Sequence, residues 1–173
     1  VAGIAGVQMV AMAADVNSFV RVAKGMAQQQ MTVKLPNWGA NAYDPDFIKQ
    51  GGAAVEGSII DQQLAMFGGE DAGSVEEVAL FNTWMKRVDP GFSPDIFAAF
   101  AWASGRLFVQ ALEAGGPKAT RTGLIEQLKK IDNFDANGLV APAGPASKRP
   151  PVCWMAIEVK GGKFVRKTPD KGF

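Results

Sequence analysis

The sequence predicts an α/β fold built on a parallel sheet. In residues 1–60, short apolar runs alternate with segments whose apolar residues recur at helical spacing, and the loops between them are short. This alternation is typical of a parallel sheet covered by helices. Three helical segments then follow one another in residues 74–131, and the chain closes with two apolar runs around a Gly-Gly pair. The three consecutive helical segments predict a separate, mainly helical part, and the two apolar runs around Gly-Gly predict a hairpin.

The first part of the chain alternates three predicted strands with two predicted helices. The strands are apolar runs bounded by turn residues, and they cover residues 7–12, 32–35 and 55–60. The first helix carries an apolar face that begins at Phe19 and ends near Gln30. The second helix is brief, with Asp44 as N-cap, Pro45 at the first helical position and Gly51 at the end.

The part after Asp61 is predicted to be helical. The segment Ser74-Val75-Glu76-Glu77 predicts a capping box with Ser74 as N-cap. A helix of about 20 residues opens at Ser93-Pro94 and closes at Gly115-Gly116, and a third helix begins at a Thr120 cap and continues to Ile131.

The aromatic side chains of the long helix are predicted to pack in the core between helix and sheet. They are Phe97, Phe100, Trp102 and Phe108. The closing hairpin is predicted from strands at 152–159 and 163–166, with Gly161-Gly162 as the turn.

Composition excludes several functional classes. The chain of 173 residues is 47% hydrophobic and 20% charged, with a net charge of +1 and no basic block, so neither nucleic acid nor an anionic membrane is an expected partner. No apolar run approaches the roughly 18 residues needed to cross a bilayer. The absence of histidine and the single cysteine exclude His-based catalysis and a Cys/His zinc site. No phosphate-binding glycine motif is present. We therefore expect no enzyme activity, no catalytic residues, no metal and no cofactor.

Four segments carry a resemblance to a known family. They are GVQMVAMAADVNSFVRVAKGMAQQQMTVKLPNW, AAVEGSII, SPDIFAAFAWASGRLFVQALEAGG and CWMAIEVKGGKFVR. In this order, and over essentially the whole chain, they resemble the C-terminal half of the type I periplasmic solute-binding proteins. These are the branched-chain amino acid receptor family of ABC transporters. Since the sequence opens without an initiator Met and runs straight into a strand, we expect it to be a fragment.

The resemblance implies two α/β lobes joined by three crossing strands. Residues 1–62 would form part of the second lobe as a βαβαβ unit. Residues 63–145 would be the returned, mainly helical part of the first lobe. Residues 146–173 would hold a crossing segment and the C-terminal hairpin of the second lobe. The N-terminal part of the same protein would be missing, and apolar surface would be exposed where its strands pair.

The resemblance also implies a function. The protein would be a periplasmic or otherwise extracytoplasmic receptor of an ABC importer that captures a small organic ligand, an amino acid or related compound, in the cleft between the lobes. Its partner would be the membrane permease, and a lipoprotein signal on the missing N-terminus would favour transport. A ligand-sensing regulator with the same fold is the first alternative, and an enzyme with Asp15 or Asp61 as base is the last.

The candidate ligand contacts follow the first two strands, because ligands of open parallel sheets bind beyond the carboxyl ends of the strands. They are Ala13, Ala14, Asp15, Asn37, Trp38 and Tyr43. Alternative interpretations are a plain helix cap for Asp15, a turn residue for Asn37, an apolar plug for Trp38 and loop packing for Tyr43.

The expected chemistry of the ligand follows from two positions at which this sequence differs from the amino-acid-binding members of the family. Amino-acid-binding members place a carboxylate after the second of these strands and an aromatic residue after the first. Here Asn37-Trp38 and two alanines stand in those places. The departure argues against an α-amino acid ligand, and Trp38 suits a ligand with an apolar or aromatic body better than a highly charged one.

Cys153 has two interpretations, a small buried core residue or one half of a disulfide. In an exported protein an unpaired thiol is unusual. If the tail continues antiparallel after the Gly161-Gly162 turn, a residue shortly after Phe173 would come beside Cys153. We therefore predict a second cysteine just beyond Phe173 that pairs with Cys153.

Overall fold

The computed structural model describes residues 6–91, 93–117, 119–170 and 172–173. The chain divides into two compact units. Unit 1 contains the described residues of Val1–Gln62 and Met155–Lys171, and unit 2 contains those of Gln63–Trp154 and Gly172–Phe173. The assignment of residues 1–62, 63–145 and 146–173 to the lobes of a larger protein stays a prediction.

Unit 1 is built on one sheet with the strand order β1-β2-β3-β4-β5. The strands are β1 (Met9–Met12), β2 (Leu35–Gly39), β3 (Ile59–Gln62), β4 (Met155–Lys160) and β5 (Lys163–Thr168). β1, β2 and β3 are parallel, whereas β4 runs antiparallel to β3 and β5 antiparallel to β4. The predicted α/β fold with a mostly parallel sheet is therefore confirmed.

The second strand begins and ends later than the sequence predicted. It pairs with β1 from Leu35 onward, and with β3 only from Asn37 onward. At Pro36 the strand thus has one neighbour, so a residue without an N–H group is tolerated there. The third strand is also displaced toward the C-terminus, because Gly52–Val55 forms a 3₁₀ turn.

Two helices connect the parallel strands. They are α1 (Val16–Gln28) and α2 (Pro45–Gly51), and a 3₁₀ turn at Ala40–Ala42 precedes the second. Asp44 caps α2 as predicted, since its side chain accepts a 2.8 Å hydrogen bond from the Asp46 N–H.

An aromatic cluster forms the core of unit 1 on the face that α1 and α2 cover. Phe19 from α1 and Phe47 from α2 pack against Trp38 from β2, with ring centroids 5.6 and 6.3 Å away. All three side chains are fully buried, as is Ile60 of β3. Both crossover connections thus place their helices on the same face of the sheet.

The hairpin β4–β5 is confirmed, with Gly161 and Gly162 at φ +59° and +68°. Two consecutive positive φ angles are what a two-residue type I′ turn requires. The Glu56 carboxylate accepts hydrogen bonds from both glycine N–H groups, at 2.6 and 3.3 Å. The first strand of the hairpin begins at Met155, so Cys153 precedes it and was wrongly placed within a strand. The Cys153 thiol is half-buried, and its pairing beyond Phe173 stays a prediction.

Unit 2 contains α3 (Glu76–Val88), α4 (Ile96–Gly115) and α5 (Arg121–Leu128). Phe81 of α3 packs against Phe67, which lies in the loop before α3, and against Trp102 of α4, with centroid distances of 6.4 and 5.8 Å. Thr120 caps α5 as predicted, through a bond from the Gly123 N–H. Within the described residues, no helix combines the length and apolar character that a membrane span requires.

One predicted cap in unit 2 was wrong. Ser74 does not cap α3, because its hydroxyl donates to the Asp71 carbonyl and the N-cap position falls on Val75. The long helix α4 begins later than the predicted opening at Ser93-Pro94, and Asp95 caps it by accepting a 2.8 Å bond from the Ala98 N–H.

Three aromatic residues of α4 are not in a core, contrary to the prediction. Phe97, Phe100 and Phe108 are 68%, 44% and 49% exposed. Together with Leu112, they form an exposed stripe that we call the α4 apolar face. Trp102 points to another side of the helix and packs against Phe81. Since α4 is apolar on more than one side, it has the character of a helix buried in a larger core.

Candidate functional site

The carboxyl ends of β1 and β2 lie side by side in unit 1. Met12, the last residue of β1, is in register with Trp38, next to the last residue of β2. A Cβ placed on Gly39 would be 3.6 Å from the Ala13 Cα, so the two backbones are in contact. The Asn41 side chain donates a 2.9 Å hydrogen bond to the Ala14 carbonyl. The structure thus joins the loops after β1 and β2 into one surface.

Asp15 stands at the edge of this surface and caps α1. Its carboxylate accepts bonds from the Ser18 hydroxyl at 2.6 Å and the Ser18 N–H at 3.1 Å. These bonds, the hydroxyl bond first, lower the pKa of Asp15 below its usual value. The side chain is exposed, so Asp15 is a helix cap that also presents negative charge at the strand end.

The Trp38 ring lies in the core rather than at the surface, which corrects the expectation of an exposed aromatic contact. Because β2 extends to Gly39, Trp38 is a strand residue and its ring points under α1 and α2. The indole N–H donates a 2.8 Å bond to the Ser58 hydroxyl. In this placement the ring is fully buried and offers no surface to a ligand.

Tyr43 is also buried, at 3% exposure. Its ring packs 4.8 Å from the Phe164 ring of β5. The loop-packing interpretation describes this residue better than a ring contact with a ligand does.

Asn37 lies on the opposite face of the sheet from Trp38, since successive residues of a strand point to opposite faces. Gly39 shares the Asn37 face, and its register partner in β3 is Asp61. Register partners point to the same side of a sheet, so Asn37, Gly39 and Asp61 form a polar patch on one face. Asn37 and Asp61 are both half-buried.

Two polar residues of this region were missed as ligand contacts. Asn41 was visible in the loop sequence, but only the fold shows that its amide reaches the loop after β1. The sequence suggests Asp61 only as a possible catalytic base, whereas the register of β3 places it beside Gly39. Among the described residues, no group of three or more Asp, Glu or Cys side chains is arranged to hold a metal ion.

Comparison with known proteins identifies the family. The sequence model that represents the periplasmic binding protein family matches residues 3–163, which is most of the chain. The chain belongs to this family. The predicted resemblance to the type I periplasmic solute-binding proteins is therefore confirmed, although no curated protein matches the sequence.

Solved structures of the family share the fold. A branched-chain amino acid ABC transporter protein from Thermus thermophilus with bound valine is 15% identical, with a TM-score of 0.74 over 98% of this chain and 46% of that one. An extracellular ligand-binding receptor from Rhodopseudomonas palustris is 21% identical, with a TM-score of 0.72 over 92% and 47%. A leucine-binding protein from Thermotoga maritima is 18% identical, with a TM-score of 0.62 over 92% and 43%. This periplasmic binding protein thus spans less than half the length of these structures.

Proposed function

We propose that the chain is part of an extracytoplasmic solute-binding receptor of an ABC importer. The family match supports a periplasmic ligand-binding receptor, and the similar structures include proteins described as binding leucine and valine. We expect a small organic ligand, an amino acid or a related compound, and capture without chemical conversion. Turnover of a bound ligand would contradict this part of the proposal.

The ligand surface that we propose consists of the joined loops and the polar patch. The observation that carries the proposal is the Asn41–Ala14 hydrogen bond, which holds the loops after β1 and β2 together where an open parallel sheet binds ligands. The proposed contacts are Ala13, Ala14, Asp15, Asn37, Asn41 and Asp61. Trp38 and Tyr43, both predicted as contacts, would act by supporting the loops from beneath.

Asp61 gives the proposed ligand surface a feature that suits an amine. A carboxylate that is half-buried attracts an ammonium group more strongly than one in water, because the local dielectric is lower. The amides of Asn37 and Asn41 can both donate and accept, so they suit a carboxylate or a carbonyl next to that ammonium group. An amino acid or amino acid amide is therefore compatible with this surface, despite the missing aromatic contact.

Affinity in a receptor of this kind would come from closure on the ligand. A ligand that contacts two lobes only in the closed form shifts the population toward that form. The closed form would then be the state that a membrane permease recognises. A lipid anchor would keep such a receptor near its permease. The permease and the lipid anchor are both part of the proposal.

The α4 apolar face supports the proposal that a further segment of a longer polypeptide completes the first lobe. Phe97, Phe100, Phe108 and Leu112 are between 40% and 68% exposed, which is unusual for contiguous large apolar side chains. Ala101 and Gly105 lie among them, and a Cβ added to Gly105 would meet nothing within 4 Å. Small residues between large ones let another element approach the helix closely. A β-sheet from the remainder of the polypeptide is the occupant that we propose.

Ligand screening tests the proposed site. The intact receptor is screened by thermal shift against amino acids, amino acid amides and aromatic acids, since a ligand that binds only the folded state raises the melting temperature. Asp61→Asn and Asn37→Ala should abolish most of the shift caused by the best ligand. Gln28→Ala, which changes an exposed amide at the end of α1, is the matched control and should retain it. Equal shifts in all three variants would overturn the site.

A further inference from the structure

A cavity lies within unit 2. It has a volume of about 340 Å³ and opens between α4 and the loop of residues 133–137. Arg106, Gln110 and Glu113 line it from α4, and Asn133, Asp135 and Asn137 line it from the loop. The volume falls in the range of small-molecule sites, and the lining is mainly polar.

The wall of the cavity is held by the buried carboxylate of Glu77, which is 3% exposed. One carboxylate oxygen accepts a 2.6 Å bond from the Trp102 indole and lies 3.1 Å from Arg106 Nε. The other oxygen accepts a 2.7 Å bond from the Asn137 amide. Glu77 thus fixes both sides of the cavity, the helix through Arg106 and the loop through Asn137.

The loop conformation is unusual at the point where it is held. Ala136 and Asn137 are both in the left-handed region, with φ of +47° and +54°. Such backbone costs about 1 kcal/mol or more per residue and persists only where its surroundings enforce it. The Asn137–Glu77 bond and the backbone bonds from Gly138 and Val140 to the Asp135 carbonyl enforce it here. Both the helix and the loop walls of the cavity are therefore fixed without a ligand.

The charged groups of the cavity are separated by sign. Arg106 uses Nε for Glu77, and among the described residues no bond engages its two terminal amino groups, which a carboxylate can bind. Glu113 and Asp135 supply carboxylates, and no ion pair among the described residues includes either of them. Arg106 and Glu113 are seven residues apart on one face of α4, which is about 10 Å along the axis.

We propose that this cavity is an accessory site for a small zwitterion whose ammonium and carboxylate groups are several bonds apart. The ligand carboxylate would pair with the terminal amino groups of Arg106, and its ammonium group with Glu113 and Asp135. Because the cationic and anionic groups line different parts of the cavity, the two charges of the ligand must be separated by a flexible chain. An ω-amino acid such as 4-aminobutyrate is a zwitterion of this kind. The site goes beyond the proposed transport ligand and does not depend on it.

Titration of the intact protein with 4-aminobutyrate tests the site, with butyrate and butylamine as half-ligands. Calorimetry should give roughly tenfold tighter binding for 4-aminobutyrate than for either half-ligand, because both charged ends are paired. The indole N–H resonance of Trp102 should shift, since it shares the Glu77 oxygen with Arg106, whereas that of Trp38 in unit 1 should not.

Variants separate this site from the surface in unit 1. Glu113→Gln should weaken 4-aminobutyrate binding roughly tenfold, and the matched control Glu76→Gln, an exposed glutamate of α3, should not. Asn37→Ala should leave this binding unchanged, so failure here and failure of the proposed function are distinguishable. An unshifted Trp102 resonance, or equal affinities of Glu113→Gln and Glu76→Gln, would overturn the accessory site.

Discussion

The indole Nε1 of Trp38 donates a 2.8 Å hydrogen bond to the hydroxyl of Ser58 in the interior of unit 1. Trp38 is fully buried and Ser58 is 2% exposed, so water cannot replace the bond. Ser58→Ala should therefore leave a buried N–H without an acceptor and lower the free energy of unfolding by about 2 kcal/mol. Urea denaturation followed by circular dichroism measures this loss.

A serine on the surface provides the control for that measurement. The Ser104 hydroxyl bonds to the Phe100 carbonyl of its own helix and is exposed. Ser104→Ala should change stability by less than about 0.5 kcal/mol. Comparable losses in the free energy of unfolding from Ser58→Ala and Ser104→Ala would show that the buried bond stabilises the fold no more than an exposed one.

The N-cap of α4 gives a second prediction. Asp95 accepts a bond from the Ala98 N–H, whereas Ser93 lies two residues earlier and makes no cap. Asp95→Ala should lower stability by about 1 kcal/mol, and Ser93→Ala should have little effect. Thermal denaturation of the two variants decides between them, and a larger loss from Ser93→Ala would contradict the observed helix start.

The Glu77 cluster gives a third prediction. Glu77→Ala removes the acceptor for Trp102, Arg106 and Asn137 at once, and it should lower stability by about 2 kcal/mol or more. Arg106 is 39% exposed, so water recovers part of its loss. Chemical denaturation measures the effect, with Glu76→Ala as the exposed control from the same helix turn. Equal losses from the two variants would contradict a structural role for the cluster.

Acid sensitivity follows from Asp132. Bonds from the Ser147 hydroxyl and the Ser147 N–H, in that order of effect, lower the pKa of Asp132 in the folded chain. A folded-state pKa below the unfolded value of about 3.9 contributes stability that is complete above that value. This contribution is lost as the pH falls through the folded pKa.

Two variants test the acid prediction. Asp132→Asn and Ser147→Ala should each be less stable than the unmodified protein near neutral pH, and the difference should shrink as the pH falls below the unfolded value and Asp132 becomes protonated. Melting temperatures measured as a function of pH give these differences, with Ser104→Ala as control. A difference between Asp132→Asn and the unmodified protein that is constant with pH would rule out the linkage.

The sequence by itself determined the local elements and the family. Asp44-Pro45 specified the start of α2, Thr120 the start of α5 and Gly161-Gly162 the hairpin turn, because each is a short-range rule that neighbouring residues satisfy. The order of these elements was enough to indicate a periplasmic binding protein.

The tertiary structure alone decided where strands end and which way side chains point. The sequence predicts a strand that stops at Leu35, before Pro36. Since Pro36 has a strand neighbour on one side only, the strand continues and places Trp38 in the core. Sheet register then places Asp61 beside Gly39 and brings Asn41 to Ala14, which no local pattern encodes. The exposure of Phe97 and Phe108 was also decided by the tertiary structure. Their apolar character predicts that these side chains are buried, whereas only the packed chain shows whether the described residues cover them.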